Sequence, residues 1–447
     1  MGPQAGRMKA AIVEVLAHCV LVALAVYFFF LPGLSVVRDL NDPALGHPGV
    51  PKRAVELHRS LTPRVESWAR TRVASGRARS VPLHDVAATE WPLFTAVFYL
   101  MATEQLQEQT STRPMTYASG AVHAARDLLI DPGHHTWVKE HWGEDYLHHQ
   151  NFFFRSLLIG GLTSYEALTH DGSSLPMLRD QVETLSASLD RTRLGLMNDY
   201  PGECYPIDVL AGIGLIRRAD AVLGTDHCAF VERSLRAFQG PRTDDIGLVP
   251  FRVDLPEATE VQPGRGIGMA WSLQFAPDLW PEQSRQWYAT FERHFWQDRG
   301  WAAGFREFRP GTWPEWTFEI DAGPVADGFG TSANAFAIAA ARRNGRFDHA
   351  YTLSSELVAT AWPLPSGGLL SVQAVSQATD APYLGESAIL YFLTVPPAKG
   401  VPIVTGGHRP GLVWLTLAIY FGIPLGAAFM AAKRIAALVR ARRRTAQ

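Results

Sequence analysis

Val209-Leu-Ala-Gly-Ile-Gly-Leu-Ile-Arg-Arg-Ala-Asp-Ala-Val-Leu223, followed closely by Asp226-His-Cys-Ala-Phe-Val-Glu-Arg-Ser-Leu-Arg-Ala-Phe238, decides the fold. The first segment is apolar, carries Gly212 and Gly214, and suits a buried helix. The second is amphipathic and suits a helix with one wet face. Together they describe a hairpin of one inner and one outer helix.

The same alternation recurs on both sides. Leu93 to Leu106 precedes amphipathic Met115 to Ile130, which Asp131-Pro132-Gly133 ends. Asn151 to Leu168 precedes Leu175 to Leu189, Ile267 to Leu279 precedes Glu282 to Trp296, and Val325 to Ala341 precedes Phe347 to Ala361. The pairs repeat at about 55 to 60 residues. Glu386 to Leu393 is a last apolar helix without a partner. Amphipathic Lys52 to Ala74, with Pro63 kinking or dividing it, is a first helix without one. If these two pair, the expected fold is all-α: an (α/α)6 toroid of about twelve helices closing N-terminus to C-terminus. An irregular α-solenoid is the competitor, but its hairpins would resemble one another in sequence. Gly367 to Ala378 and Ala302 to Arg309 carry weak signals for strand arms.

The 47% hydrophobic content includes an apolar surplus at the two ends. Ala10 to Leu31 is mostly apolar and Pro32-Gly33 is expected to end it. Gly411 to Ala432 is 22 residues without a charge, enough to cross a bilayer. The expected division is an N-terminal transmembrane anchor over 1–33 and a linker over 34–51. A barrel follows over 52–409, then a C-terminal transmembrane helix over 410–432 and a basic tail over 433–447. Arg7 and Lys9 precede the first span, and Lys433, Arg434, Arg440 and Arg442 to Arg444 follow the second. The positive-inside bias then puts both termini in the cytoplasm and the main domain in the periplasm or outside the cell. A cleaved signal peptide is the alternative for the first run, although Phe28-Phe29-Phe30-Leu31-Pro32 is too bulky for a clean cleavage site. A net charge of -2 provides no field for nucleic acid. The expected partners are the membrane and a small-molecule or glycan substrate, with homo-oligomerisation open. Cys204 and Cys228 sit at opposite ends of one helical hairpin, too far apart for a disulfide.

In a closed toroid the inner helices run parallel and open at one rim. Those openings carry His84, Asp85 and Glu90; Glu144 to His149; Asp199 to Asp208; Arg265; Glu319, Asp321 and Asp327; and Tyr383 and Glu386. Asp131, Asp171 and Asp226 suit helix caps; for Asp145, Asp199 and Asp321 capping and chemistry fit equally. Asp199-Tyr-Pro-Gly-Glu-Cys-Tyr-Pro-Ile-Asp208 is the densest opening. Partial burial raises a carboxyl pKa and makes a general acid, while a better-solvated partner stays ionised as base. Glu203, Cys204, Asp208, His149 and Asp145 are therefore the catalytic candidates. Tyr200, Tyr205, His148, Trp91, Arg265, Asp327 and Glu386 are the candidates for substrate binding. No His-x-x-x-His or Cys-x-x-Cys spacing occurs, so no metal and no cofactor is expected. Arg265-Gly266-Ile267-Gly268 lacks the full phosphate-binding fingerprint.

Asn151-Phe-Phe-Phe-Arg-Ser-Leu-Leu-Ile-Gly-Gly-Leu-Thr-Ser-Tyr-Glu166 and Gly202-Glu-Cys-Tyr-Pro-Ile-Asp208, in this order, resemble the catalytic domain of the linalool dehydratase/isomerase family. The likeness covers roughly Glu144 to Leu223. It implies an (α/α)6 barrel with cofactor-free acid–base chemistry. The family has a Cys-Glu-Pro-Asn run at this helix opening. Here Glu203 precedes Cys204, Pro206 comes later, and no second cysteine lies near Asp208. Three functions are carried forward: a dehydratase or isomerase acting on a hydroxylated substrate, a glycosidase or polysaccharide lyase acting on envelope glycan, and a non-catalytic envelope scaffold.

Overall fold

A computed structural model describes residues 3–445 of the chain. Among the described residues, twelve helices form the toroid: α1 (Lys52–Ser75), α2 (Trp91–Gln109), α3 (Met115–Ile130), α4 (Phe152–Thr169), α5 (Leu175–Arg191), α6 (Pro206–Leu223), α7 (Cys228–Ser234), α8 (Gly266–Ser272), α9 (Pro281–Phe295), α10 (Thr331–Arg343), α11 (Phe347–Thr360) and α12 (Leu384–Thr394). The even-numbered helices are inner. In order, α2, α4, α6, α8, α10 and α12 each pack on the next, and α12 packs on α2, which closes the ring. α1 lies against α12 and α3, so the first outer helix completes the last hairpin. The protein is an (α/α)6 toroid.

Burial separates the two kinds of helix. In α4 the run from Phe152 to Glu166 is buried throughout, whereas α9 buries Ser284, Trp287, Tyr288, Phe291 and Phe295 along one stripe. Gly212 lets α6 approach α4, since a Cβ there would meet the Phe152 ring at 2.2 Å. The axis itself is filled. Phe98 of α2 meets Trp271 of α8, three helices round the ring, with centroids 6.3 Å apart, and also meets Phe336 of α10 and Tyr391 of α12. The toroid is therefore a cup with an aromatic floor. Truncating one of these rings to alanine would cost about 3–5 kcal/mol.

The helices and arms depart from the expected pattern in three places. α8 stops at Ser272 and a short helix resumes at Ala276–Leu279. Pro277 cannot donate to the Leu273 carbonyl, and the Asn344 amide donates to it instead, at 2.8 Å. Residues 325–330, expected as helix, are strand and turn: β6 (Gly323–Ala326) lies between β5 (Thr317–Glu319) and β7 (Phe329–Gly330) and pairs with both, with a turn at 327–328. Two further hairpins are β1 (Arg252–Asp254) with β2 (Thr259–Gln262), and β3 (Trp296–Asp298) with β4 (Ala303–Phe305). The last falls partly in the expected arm over Ala302 to Arg309. The other expected arm is instead helical over Leu370–Ser376.

The N-terminal helix does not stop at Pro32-Gly33. It runs from Pro3 to Ala25, through a π turn over Val26–Phe30, and on to Leu40, leaving only Asn41 to Pro51 as connector. Pro32 leaves the Phe28 carbonyl without its helical donor. The Trp362 indole supplies one at 2.7 Å. Gly33 admits Tyr420, whose Cβ would lie 2.8 Å from any added side chain. The C-terminal helix, Gly411–Thr445, packs beside it and on α11. Ile12–Leu40 and Gly411–Ala441 are both long and apolar enough to cross a membrane. The side chains of Arg7, Lys9 and Arg442 to Arg444, on which the expected orientation partly rests, lie outside the described residues.

Candidate functional site

The stretch before α6 folds back on itself before the helix begins. The Glu203 amide donates to the Tyr200 carbonyl at 2.9 Å, closing a tight turn in which Gly202 takes φ +81°. Cys204 then pairs with Val253 through its carbonyl, 3.0 Å from the Val253 amide. The buried Asp199 carboxyl, whose pKa burial and the neighbouring Asp208 push well up, accepts from the Tyr205 amide at 2.7 Å and sets the start of the helix at Pro206. These contacts place Asp208 in the first turn of α6.

Asp208 is enclosed by protein yet keeps accessible surface, so it borders an internal space. Half-open side chains recur near the openings of other inner helices: Trp91 and Phe94 on α2, Ser332 and Phe336 on α10, Leu384 on α12. They sit in the opening turns of the inner helices, on the same side of the toroid as Asp208. Burial pushes the Asp208 pKa up to about 8, with the charge of Asp321 adding to the shift, the Trp271 indole opposing it, and Glu90 adding a smaller rise. Burial likewise raises Glu90 to about 7; a hydrogen bond with Tyr200 opposes this and Asp321 reinforces it. Asp321 keeps its side chain open to solvent, yet the protein packed around it and the neighbouring Glu319 raise its pKa to about 6 against the pull of Arg265. Three carboxyls from three different openings thus share one electrostatic neighbourhood, each titrating near neutrality.

A second group holds Asp321 in place. Buried Arg265, just before α8, stacks over Phe251 at 4.2 Å and pairs with Glu307 and, at 2.6 Å, with Glu319. Glu319 accepts the amides of Asp321 and Ala322 at 2.8 and 2.9 Å, fixing the loop that carries Asp321. Glu307 receives the Ile267 amide at 3.2 Å and its carbonyl receives that of Gly266 at 2.7 Å. Burial lifts the Glu307 pKa to about 7 even beside Arg265.

The remaining candidates divide plainly. Glu203 lies at the lip, accepting from the Tyr205 hydroxyl at 2.7 Å with Arg252 at 3.6 Å. Tyr200 reaches Glu90, and its ring lies against Phe153. Cys204 is fully buried, and burial pushes its thiol pKa far up, so it stays protonated inside the wall. Cys204 and Cys228 are not bonded to each other. The structure does not bring the opening of α4 to the cup. Asp145 and His148 are exposed and pair with each other at 3.2 Å, and His148 reaches Asp180 on outer helix α5 at 3.1 Å. His149 is exposed beside Trp142. Asp327 faces Arg299 at 3.6 Å. Buried Glu386 accepts from Arg64 at 2.8 Å and from the Leu369 amide at 3.0 Å, which ties α12 to α1 and to the loop before it.

Glu90 was legible only as one of the rim acids, and Asp321 only as a rim acid that a capping role explained equally well. Glu307 and Trp271 carried no signal, since a glutamate in a strand arm and a tryptophan inside an apolar helix are ordinary. Among the described residues, no group of three or more His, Cys, Asp or Glu side chains is arranged to hold a metal ion.

No protein-family model and no curated protein matches the chain. Among solved structures the chain is similar to a family 76 glycoside hydrolase from a bovine Bacteroides thetaiotaomicron strain. The identity is 10%, the alignment covers 68% of each chain, and the TM-score is 0.37. A likeness this distant carries no function. The class is defined by the ring closure itself, an (α/α)6 toroid of six hairpins.

Proposed function

We propose that the protein is a membrane-anchored enzyme using cofactor-free acid–base chemistry on a hydroxylated substrate, as a dehydratase or isomerase. The observation that carries this reading is the Glu90, Asp208 and Asp321 group set above an aromatic floor. Asp208, neutral at pH 7, gives its proton to the substrate hydroxyl, and water departs with the C–O bonding pair. The ring faces of Trp271 and Phe336 stabilise the positive charge left on carbon. Asp321, largely ionised at pH 7, takes a proton from the neighbouring carbon, whose C–H electrons become the new double bond. The proton returns to Asp208 through Glu90, which neighbours both acids. An acid and a base held apart in pKa by their surroundings supply the two roles.

A glycoside hydrolase acting on envelope glycan is the second reading. Trp271 beside Asp208 supports it, because an indole face suits a sugar ring and paired carboxyls suit glycosyl transfer to water.

The test uses the full-length protein in detergent or nanodiscs with a panel of tertiary and allylic alcohols, following alkene formation by gas chromatography. A parallel arm follows reducing ends released from envelope glycan. Turnover of an alcohol that Asp208→Asn abolishes is the expected result. Alcohol turnover undiminished in Asp208→Asn defeats the acid assignment, and glycan cleavage alone replaces the first reading with the second.

A further inference from the structure

We infer that the mouth of the cup faces the bilayer, and that its substrate is an amphiphilic alcohol dissolved in the adjoining leaflet. The substrate half rests on the proposed function. The membrane half rests on how the terminal helices pack.

Outer helices run towards the mouth and inner helices away from it, so Trp362, just after α11, marks the mouth side. There its indole meets Phe28 and its ring meets Phe29. Further along the N-terminal helix, Val36 and Leu40 share one buried apolar cluster with Val358 and Ala359 of α11 and with Val413 and Tyr420 of the C-terminal helix. Asp39 pairs with Arg53 in the first turn of α1, at the opposite end of the toroid. Traced backwards from Phe28, the helix therefore leaves the barrel on the mouth side. The C-terminal helix agrees. Arg409 bonds Tyr351 in the first half of α11, and the Tyr420 hydroxyl donates to the Ala359 carbonyl at 2.9 Å. Tyr420 also meets Trp362, and the helix then continues past the mouth.

The depth follows from length. A hydrocarbon layer of about 30 Å needs about 20 helical residues. Counted from Ala10, where the apolar run of the sequence begins, such a layer reaches Phe29, level with Trp362. Exposed Leu34, Val37, Trp414 and Leu415 extend the apolar surface further along the barrel wall. The side of the mouth next to α11 thus lies within the layer, and the side at the opening of α4 stands clear of it.

The mouth is dressed accordingly. The loops before α10 and α12, which flank α11, expose Trp316 (70%), Phe318 (73%) and Val375 (75%). Two of their acids are paired where they stand, Glu315 with Arg306 and Glu319 with Arg265, while Asp321 belongs to the acid group. The opening of α4 instead exposes charge, with Glu144 at 89%. An apolar cleft of about 610 Å³ between the spans and the mouth, lined by Leu21, Leu24, Phe28, Trp362, Leu370 and Met430, has room for an acyl or isoprenoid chain. The loop bearing Trp316 and Phe318 ends at Asp321, so it joins the lipid-facing surface to the acid group.

The test places an environment-sensitive fluorophore at Phe318→Cys, Val375→Cys and, as control, Glu144→Cys, in full-length protein with the exposed Cys19 and Cys228 replaced by serine. The protein sits in nanodiscs of phosphatidylcholine and phosphatidylglycerol. Spin-labelled lipid is expected to quench the first two labels and aqueous iodide only the third. Iodide quenching at Phe318 and Val375 equal to that at Glu144 overturns the membrane half, whether or not the protein is an enzyme. For the substrate half, the double variant Trp316→Glu, Phe318→Glu is expected to lose turnover of a long-chain alcohol held in the nanodisc while keeping turnover of a short soluble one. Equal loss on both overturns delivery from the leaflet. Absence of turnover on every alcohol overturns the substrate half together with the proposed function, and the quenching still decides the membrane half.

Discussion

The opening of α6, Asp199 to Asp208, and the opening of α4, Glu144 to His149, are both short, polar and rich in acids and aromatics. Only the first turns into the cup. At α6 a turn closed by Glu203 and Tyr200, a backbone bridge to Val253 and the Asp199 carboxyl aim Asp208 inward. At α4 the helix Thr136–Trp142 and the turn after it hold Asp145 and His148 outward, against Asp180 on α5. The difference lies in what neutralises each acid. Asp145 has a histidine and water, and the salt bridge it makes there is worth little. Asp208 has burial and two more acids, so it keeps its proton. The comparison shows that polar density at a helix mouth is not itself a site. What makes one is an acid that the fold leaves without a cation.

Several substitutions would break or sharpen that contrast. Asp208→Asn should lower turnover by about 10²–10⁴-fold, the range for a positioned acid, in a single-turnover assay. Arg265→Ala strands buried Glu307 and should cost about 3–5 kcal/mol in denaturant unfolding, as broken buried ion pairs do. The pH profile should be bell-shaped. Turnover requires protonated Asp208 and falls as pH rises through about 8. It also requires ionised Asp321 and falls as pH drops through about 6. Each limb should approach tenfold per pH unit. Cys204→Ala should leave turnover intact and cost about 1–2 kcal/mol of stability, since it removes a small buried side chain rather than a nucleophile. His149→Ala should change stability by less than about 0.5 kcal/mol and leave turnover unchanged, as exposed sites do.

The toroid was legible because its signal is repeated contrast. Apolar segments such as Val209 to Leu223 alternate with striped ones, and the unpaired Lys52 and Glu386 segments complete each other. Of the strand arms only β4 was legible, within the arm expected over Ala302 to Arg309, because strands of two to four residues acquire their pairing from other parts of the chain, as Cys204 does from Val253. The passage of the first helix through Pro32 was hidden for the same reason, since its missing donor comes from Trp362. Within the site, Glu203 and Asp208 stood out together by their apolar, proline-bounded setting, and Glu203, the stronger candidate in the sequence, is instead held by Tyr205 and Arg252. Asp321 did not stand out, because the pair that positions it, Arg265 with Glu319, spans 54 residues of chain. Glu386 illustrates the converse. A rim acid expected to bind substrate is consumed by Arg64, a partner 322 residues away.

The most direct measurement needs no substrate. Protein with carbon-13-labelled aspartate carboxyls, compared with Asp208→Asn to assign the signal, can be titrated by NMR. A midpoint for Asp208 near 8 is the result expected of an acid buried among acids. A midpoint near the ordinary aspartate value of about 4 would mean that the residue is solvated and ionised at neutral pH, and would contradict the acid assignment.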